Sequence, residues 1–208
     1  MAKQTAQEKY LEMTTAPVER LIARLAVPTI ISMLITTIYN MADTFFIGMI
    51  STAASGAVGV SFSIMAIIQA LGFFFGQGAG ASISQALGSQ DTKRANELAA
   101  TGFFSALICG AGVGVLGLAF MKPLVYFLGA TETIYPHCVA YLRLILIGAP
   151  WMCASFVLNN LLRFEGNAFR AMVGLTTGGV LNMALDPLFI FVFDMGIAGA
   201  ALATIVSQ

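Results

Sequence analysis

Charge is what this chain has least of. Lysine, arginine, aspartate and glutamate make up 10% of its 208 residues, against about 25% in soluble globular domains. A soluble fold of this length would not have enough charged side chains to cover its surface. Bases and acids balance, so the net charge is zero. With no basic patch interleaved with aromatics, nucleic acid is excluded as a partner. Histidine occurs once, as His137, and the three cysteines (Cys109, Cys138 and Cys153) show no CxxC spacing. A zinc centre or a disulfide framework needs a different arrangement, so the cysteines read as small apolar residues at helix contacts or facing lipid. There is no nucleophile elbow, no paired-histidine metal motif and no phosphate-binding glycine loop. Gly76-Gln77-Gly78-Ala79-Gly80 lies inside an apolar run with no strand before it. The expectation is a protein that is not an enzyme and has no cofactor.

What the chain has in abundance is apolar surface: 58% of residues are hydrophobic and the mean hydropathy is +0.87. A spanning helix needs about 20 apolar residues. Five runs satisfy that: Leu25 to Met49, Ala53 to about Gly80 with its helix continuing to Leu87, Leu98 to Met121, Pro136 to Leu161, and Ala171 to Phe193. A sixth run begins at Ile197 and stops at Gln208. A half-helix ending in lipid would leave carbonyls unpaired, so the sequence reads as a fragment, truncated in its sixth span. The first run starts after about two dozen mostly polar residues and is too long for a signal peptide. It reads as an uncleaved span. The fold class expected is all-α, a polytopic transmembrane helix bundle.

Basic residues set the orientation. Lys3, Lys9, Arg20, Arg24, Lys93, Arg94, Arg163 and Arg170 all fall on one side if the spans alternate, while Lys122 falls on the other. The positive-inside rule places the N-terminus in the cytoplasm of a multi-pass protein of the cell membrane. Residues 1–24 form a cytoplasmic segment whose end, Pro17 to Arg24, is an amphipathic lead-in or simply a solvated helix start. Thr92 is placed to cap the third helix. Glycines recur at spacing four: Gly72, Gly76 and Gly80; Gly110 and Gly114; Gly174 and Gly178. Such stripes let helices approach closely in lipid. Trp151 reads as a packing residue, and Arg143, inside the fourth span, as a side chain that snorkels outward or pairs with an acid.

Of the ten acidic residues, only Asp43 and Asp186 lie within spans. A charged side chain at the bilayer centre costs about 2.5–3.5 kcal/mol on insertion scales and marks a functional site by default. At a rise of about 1.5 Å per residue, Asp43 sits about 27 Å from the cytoplasmic end of its span and Asp186 about 22 Å from that of the fifth. Thr204 lies about 10 Å below the outer surface in the sixth. All three fall in the outer half of the membrane. Asn182 is four residues before Asp186 and shares its face. Pro187 lacks an N–H, which leaves the carbonyl of Met183 without its usual partner. Thr36, Asn40 and Asp43 make a polar stripe on the first span. Hard oxygens suit Na⁺, and a carboxylate in apolar surroundings suits H⁺. Gln69 and Gln77 either line an aqueous cavity or bond across helices.

Several separated motifs then carry a resemblance. Leu25-Ala26-Val27-Pro28 with Tyr39-Asn40-Met41-Ala42-Asp43-Thr44-Phe45-Phe46-Ile47-Gly48 resembles the first helix of the multidrug and toxic compound extrusion (MATE) family. Asn160-Leu161-Leu162-Arg163-Phe164-Glu165-Gly166-Asn167 resembles that family's cytoplasmic linker between helices four and five. Asn182-Met183-Ala184-Leu185-Asp186-Pro187-Leu188-Phe189-Ile190 resembles its fifth helix, and Gly199 to Thr204 the start of its sixth. The resemblance implies that residues 25–208 are the N-terminal six-helix lobe of a two-lobed transporter whose C-terminal lobe is missing. It implies export of drugs or toxic organic cations across the membrane in exchange for Na⁺ or H⁺. It implies a cation-coupling site at Asp43, Asn182, Asp186 and Thr204, with the backbone oxygen of Ala200, and no further metal. Two other functions remain open: a lipid-linked oligosaccharide flippase of the same superfamily, against which the single intramembrane Arg143 argues, and a structural membrane protein, which would not need two buried acids. Membrane lipid is a partner in each.

Overall fold

The computed structural model describes residue 11 and residues 15–208. Most of the predicted N-terminal segment, including Lys3, Glu8, Lys9 and Glu12, lies outside the described residues. Among the described residues there are helices and no strands. Helix α1 is Val18–Ile50, α2 is Thr52–Gly88 and α3 is Thr92–Ala119. A short α4, Met121–Phe127, precedes α5, Tyr135–Phe164, and α6, Ala168–Pro187, runs into a π-helical turn at Leu188–Val192. Helix α7, Ile197–Ser207, ends the chain. Five helices are long and apolar enough to cross a membrane: α1, α2, α3, α5 and α6 with its π extension. These match the five predicted spans, and α4 is an element that the hydropathy pattern did not reveal because its seven residues merge with the apolar end of α3.

Helix ends follow local chemistry. α1 begins right after Pro17, so the predicted lead-in is the start of the first helix and continuous with it. Ser51 alone separates α1 from α2, and its Oγ accepts the N–H of Ala54 at 3.0 Å. At α3 the cap is Asp91, one residue before the predicted Thr92, and its carboxylate accepts the N–H of Arg94 at 3.0 Å. The turn before it needs a left-handed residue, Gln90 with φ 59°, which leaves Asp91 as the last non-helical position and therefore the capping one. Pro187 interrupts the hydrogen-bond ladder of α6, and the chain widens into the π turn immediately after it.

Helix α5 is the hub. It packs most extensively on α2 and α3 and also meets α6 and α7, while α1 packs chiefly on α6. Lipid offers no hydrophobic drive between helices, so close packing must hold them together. The glycine stripes supply it. A methyl group at Gly72 would stand 2.6 Å from Cβ of Phe156 and one at Gly76 would stand 2.9 Å from Cβ of Asn160; Gly80 meets the ring of Phe164. Three glycines on α2 thus receive three side chains of α5 at the same spacing of four. On α3, Gly110 faces the backbone of Ala149 and Pro150, and Gly114 faces the carbonyl of Leu146. In α6 only Gly178 of the predicted pair makes such a contact, against the carbonyl of Ser207. Trp151 points outward at 65% exposure; the packing predicted for it is absent because the adjacent Met152, Cys153 and Ala154 take the inward face of α5. Cys138 and Cys153 are buried thiols that approach the carbonyls of Ala57 and Ile68 on α2, and all three cysteines are free.

Candidate functional site

Three helices and the hub bring the polar intramembrane residues to one place. Asp43 comes from α1, Asn182 and Asp186 from α6, Thr204 from α7 and Tyr141 from α5. Asp186 is fully buried and Asn182 is 1% exposed. The two carboxylates lie within electrostatic reach of each other, a meeting that their similar depths along the sequence allow but do not by themselves require. Thr204 Oγ donates to the carbonyl of Ala200 at 3.0 Å, which leaves lone pairs on both oxygens.

The hydrogen bonding here is incomplete. Among the described residues, the buried side-chain polar atoms without a partner are Asp43 Oδ1, both oxygens of Asp186, and both the oxygen and nitrogen of Asn182. Native interiors pair nearly all such atoms, and each unpaired one costs about 1–3 kcal/mol. Here they cluster instead of scattering. An oxygen-rich cluster of this kind is complementary to a small hard cation or to protons. The described residues hold no group of three or more histidine, cysteine or acidic side chains able to bind a metal ion, and a site of two carboxylates, an amide, a hydroxyl and a carbonyl is a different donor set from that.

The cluster opens on a cavity of about 350 Å³. Its lining includes Thr36, Asn40, Asp43, Gln69, Asn182 and Thr204, together with Met33, Met65, Met152, Phe62, Phe73 and Phe156. Polar side chains, Asn159 and Asn160 among them, thus share the wall with methionine and phenylalanine. Such walls accommodate apolar cations, through ring faces and adaptable thioethers. Asp186 and Ala200 sit behind this lining and do not reach it. Gln77, one face round from Gln69, is exposed and lies outside the cavity.

Sequence reasoning missed Tyr141. It is fully buried, its hydroxyl donates to Met65 Sδ at 3.4 Å, and it lies beside Thr204 and within electrostatic reach of both acids. A tyrosine within a span needs a partner for its hydroxyl, but the sequence does not show which partner it finds. Arg163 was also missed as a cavity residue; it lines the same cavity.

Comparison with known proteins agrees with this geometry. Residues 28–188 match the model of the MatE family. The multidrug export protein MepA of Staphylococcus aureus (strain MRSA252) is 30% identical over 202 residues, covering 97% of this chain and 45% of the relative. The MepA of Staphylococcus saprophyticus is 31% identical over 184 residues, covering 88% of this chain and 41% of the relative. A solved outward-facing multidrug resistance MATE transporter of the MOP superfamily superposes with a TM-score of 0.90 at 32% identity, over 99% of this chain and 45% of its own. A MOP superfamily transporter from Pyrococcus furiosus, described as having a binding pocket of reverse polarity, gives the same score at the same identity. The chain thus spans about half the length of the curated relatives it matches. With the family match over residues 28–188 and its helices superposing on solved members, the chain belongs to the MATE family of multi-pass membrane transporters.

Proposed function

We propose that this chain forms one six-helix lobe of a cation-coupled exporter of drugs or organic cations, with its N-terminus in the cytoplasm and its place in the cell membrane. A second lobe of similar size completes the cavity. The support is that the chain covers 45% of the relative's length. Asp43, Asn182, Asp186, Thr204 and the carbonyl of Ala200 hold the coupling ion, Na⁺ or H⁺. The observation that carries this reading is the cluster of unpaired buried atoms on Asp43, Asn182 and Asp186.

The mechanism follows from where those atoms sit. Helices α1, α6 and α7, which carry most of them, pack on one another. A proton arriving there neutralises one of two carboxylates that otherwise repel each other, and a Na⁺ bridging them offsets one unit of their combined charge. Their mutual repulsion falls, so α1 moves closer to α6. Asp43 and Asn182 also line the cavity, so the same event changes the charge and shape that a bound organic cation meets. Ion binding and drug release are then coupled through shared residues. The distance between the two functions is short, and no long relay is needed.

The test is ethidium efflux from energised vesicles carrying the two-lobed transporter, with and without Asp186→Asn, in Na⁺ and in Na⁺-free buffer. Loss of gradient-driven efflux in the variant is expected, and the buffer comparison names the ion. Efflux that survives the substitution at normal expression would make Asp186 structural and remove the coupling site.

A further inference from the structure

Arg143 belongs to none of this. It lies eight residues past Tyr135 on α5, about 12 Å along the helix, so inside the span. Nine residues, about two and a half turns, separate it from the cavity residue Met152, which puts the two on opposite faces of α5. The side chain is exposed. Among the described residues no acid, hydroxyl or carbonyl pairs with it. An unpaired guanidinium within hydrocarbon is costly, and in membrane proteins such groups find an anion or reach the interface.

Its surroundings select the anion. Arg143 forms part of the wall of a second cavity, of about 390 Å³. The remaining lining is Leu118 of α3, Met121 of α4, and Val139 and Ile147 of α5, all apolar. Leu118 and Ile147 are exposed at 37% and 55%. One planar cation beside an apolar groove complements a molecule with an anionic head and a hydrocarbon tail. A guanidinium grips a phosphate through paired N–H donors. An organic-cation drug is disfavoured there by charge. We propose that the groove between α3, α4 and α5 is a binding site for an anionic phospholipid, with its phosphate on Arg143 and an acyl chain along Leu118, Met121, Val139 and Ile147. The groove lies at the α3–α5 seam that Gly114 and Gly117 close against Leu146. A lipid seated there braces the hub helix on the side away from the transport cavity.

The test is native mass spectrometry and thermal melting of the detergent-purified protein with added phosphatidylglycerol or phosphatidylcholine. The wild type is expected to retain phosphatidylglycerol and to melt higher in its presence. Arg143→Gln is expected to weaken that binding about tenfold or more, the size of one lost charge-assisted hydrogen bond. Ile147→Trp keeps the charge, fills the groove and should weaken it similarly. Lys122→Gln removes the neighbouring cation on α4, which does not line the groove, and should bind as the wild type does. Undiminished phosphatidylglycerol binding by Arg143→Gln or by Ile147→Trp overturns the site, as does loss of binding in Lys122→Gln alone. Equal retention of phosphatidylcholine overturns the anionic assignment.

Discussion

Helices α5 and α1 are both long, both apolar and both carry an internal proline, yet they are built for opposite ends. Helix α5 buries 13 of its 30 residues, and its backbone is approached at Ala149, Pro150 and Leu146 by glycines of α3. Helix α1 buries only Ser32 and Ile47 among 33 residues. Both carry a polar group to the same cluster, Tyr141 from α5 and Asp43 from α1. One therefore presents its group from a rigid scaffold, and the other from an element with few packed neighbours. Packed interiors have discrete arrangements and resist deformation, whereas elements with few buried contacts open at low cost. The polar cluster joins a densely packed helix to a sparsely buried one, the arrangement that the proposed coupling needs.

The contrast can be broken first at the scaffold. Gly114→Leu places a branched side chain against the carbonyl of Leu146, where even a single methyl group would stand 2.5 Å away. Overpacking of this kind costs about 3 kcal/mol, and for a protein of this size that lowers the melting temperature by about 6–12 °C. Differential scanning fluorimetry of the purified protein reads it directly. A melting temperature within a degree or two of wild type would show that α3 and α5 are not locked as described.

A smaller effect of opposite sign is expected at the site. Asp186→Asn replaces a buried group that can carry charge with one that cannot, while keeping its shape. Burying an unpaired charge is the costlier state, so the variant should melt at the same temperature or up to about 4 °C higher, following roughly 2–4 °C per kcal/mol. Stability gained while transport is lost is the signature of a functional site. A clear fall in melting temperature would mean that Asp186 holds α6 to its neighbours. Added Na⁺ sharpens the same comparison. If Na⁺ is the coupling ion, the wild type gains about 2.7 kcal/mol at a hundredfold excess over the dissociation constant, and Asp186→Asn gains nothing beyond the effect of K⁺.

The smallest effect belongs to α1. Leu34→Ala, at a residue 59% exposed, should change stability by less than about 0.5 kcal/mol. The matching change on α5, Leu142→Ala at a fully buried leucine, should cost about 2 kcal/mol or more. Equal losses at the two positions would erase the distinction between scaffold and movable helix.

Much of this architecture was legible along the chain. Hydropathy gives the spans to within a few residues at most ends, because a span needs only length and apolarity. The cost of an intramembrane acid singled out Asp43 and Asp186 without any structure. The short α4 was invisible because no polar break marks it off from α3. Tyr141 was passed over because an isolated tyrosine in an apolar run looks the same whether its hydroxyl meets a thioether, a threonine or lipid. Gln69 and Gln77 could not be told apart until α2 was placed: eight residues separate them, and only the first reaches the cavity wall.

The sequence by itself determined that this is a multi-pass helical membrane protein, because too few charges exist to cover a soluble surface and apolar length decides what crosses a bilayer. It also determined which residues are too costly in lipid to be idle. Only the tertiary structure decided which of them meet, because the side-by-side placement of α1, α5, α6 and α7 depends on glycine contacts and crossing geometry between segments far apart in the chain. It decided too that Arg143 faces away from the cavity beside Asp43, since the face a residue takes on a helix has meaning only once the helix has neighbours.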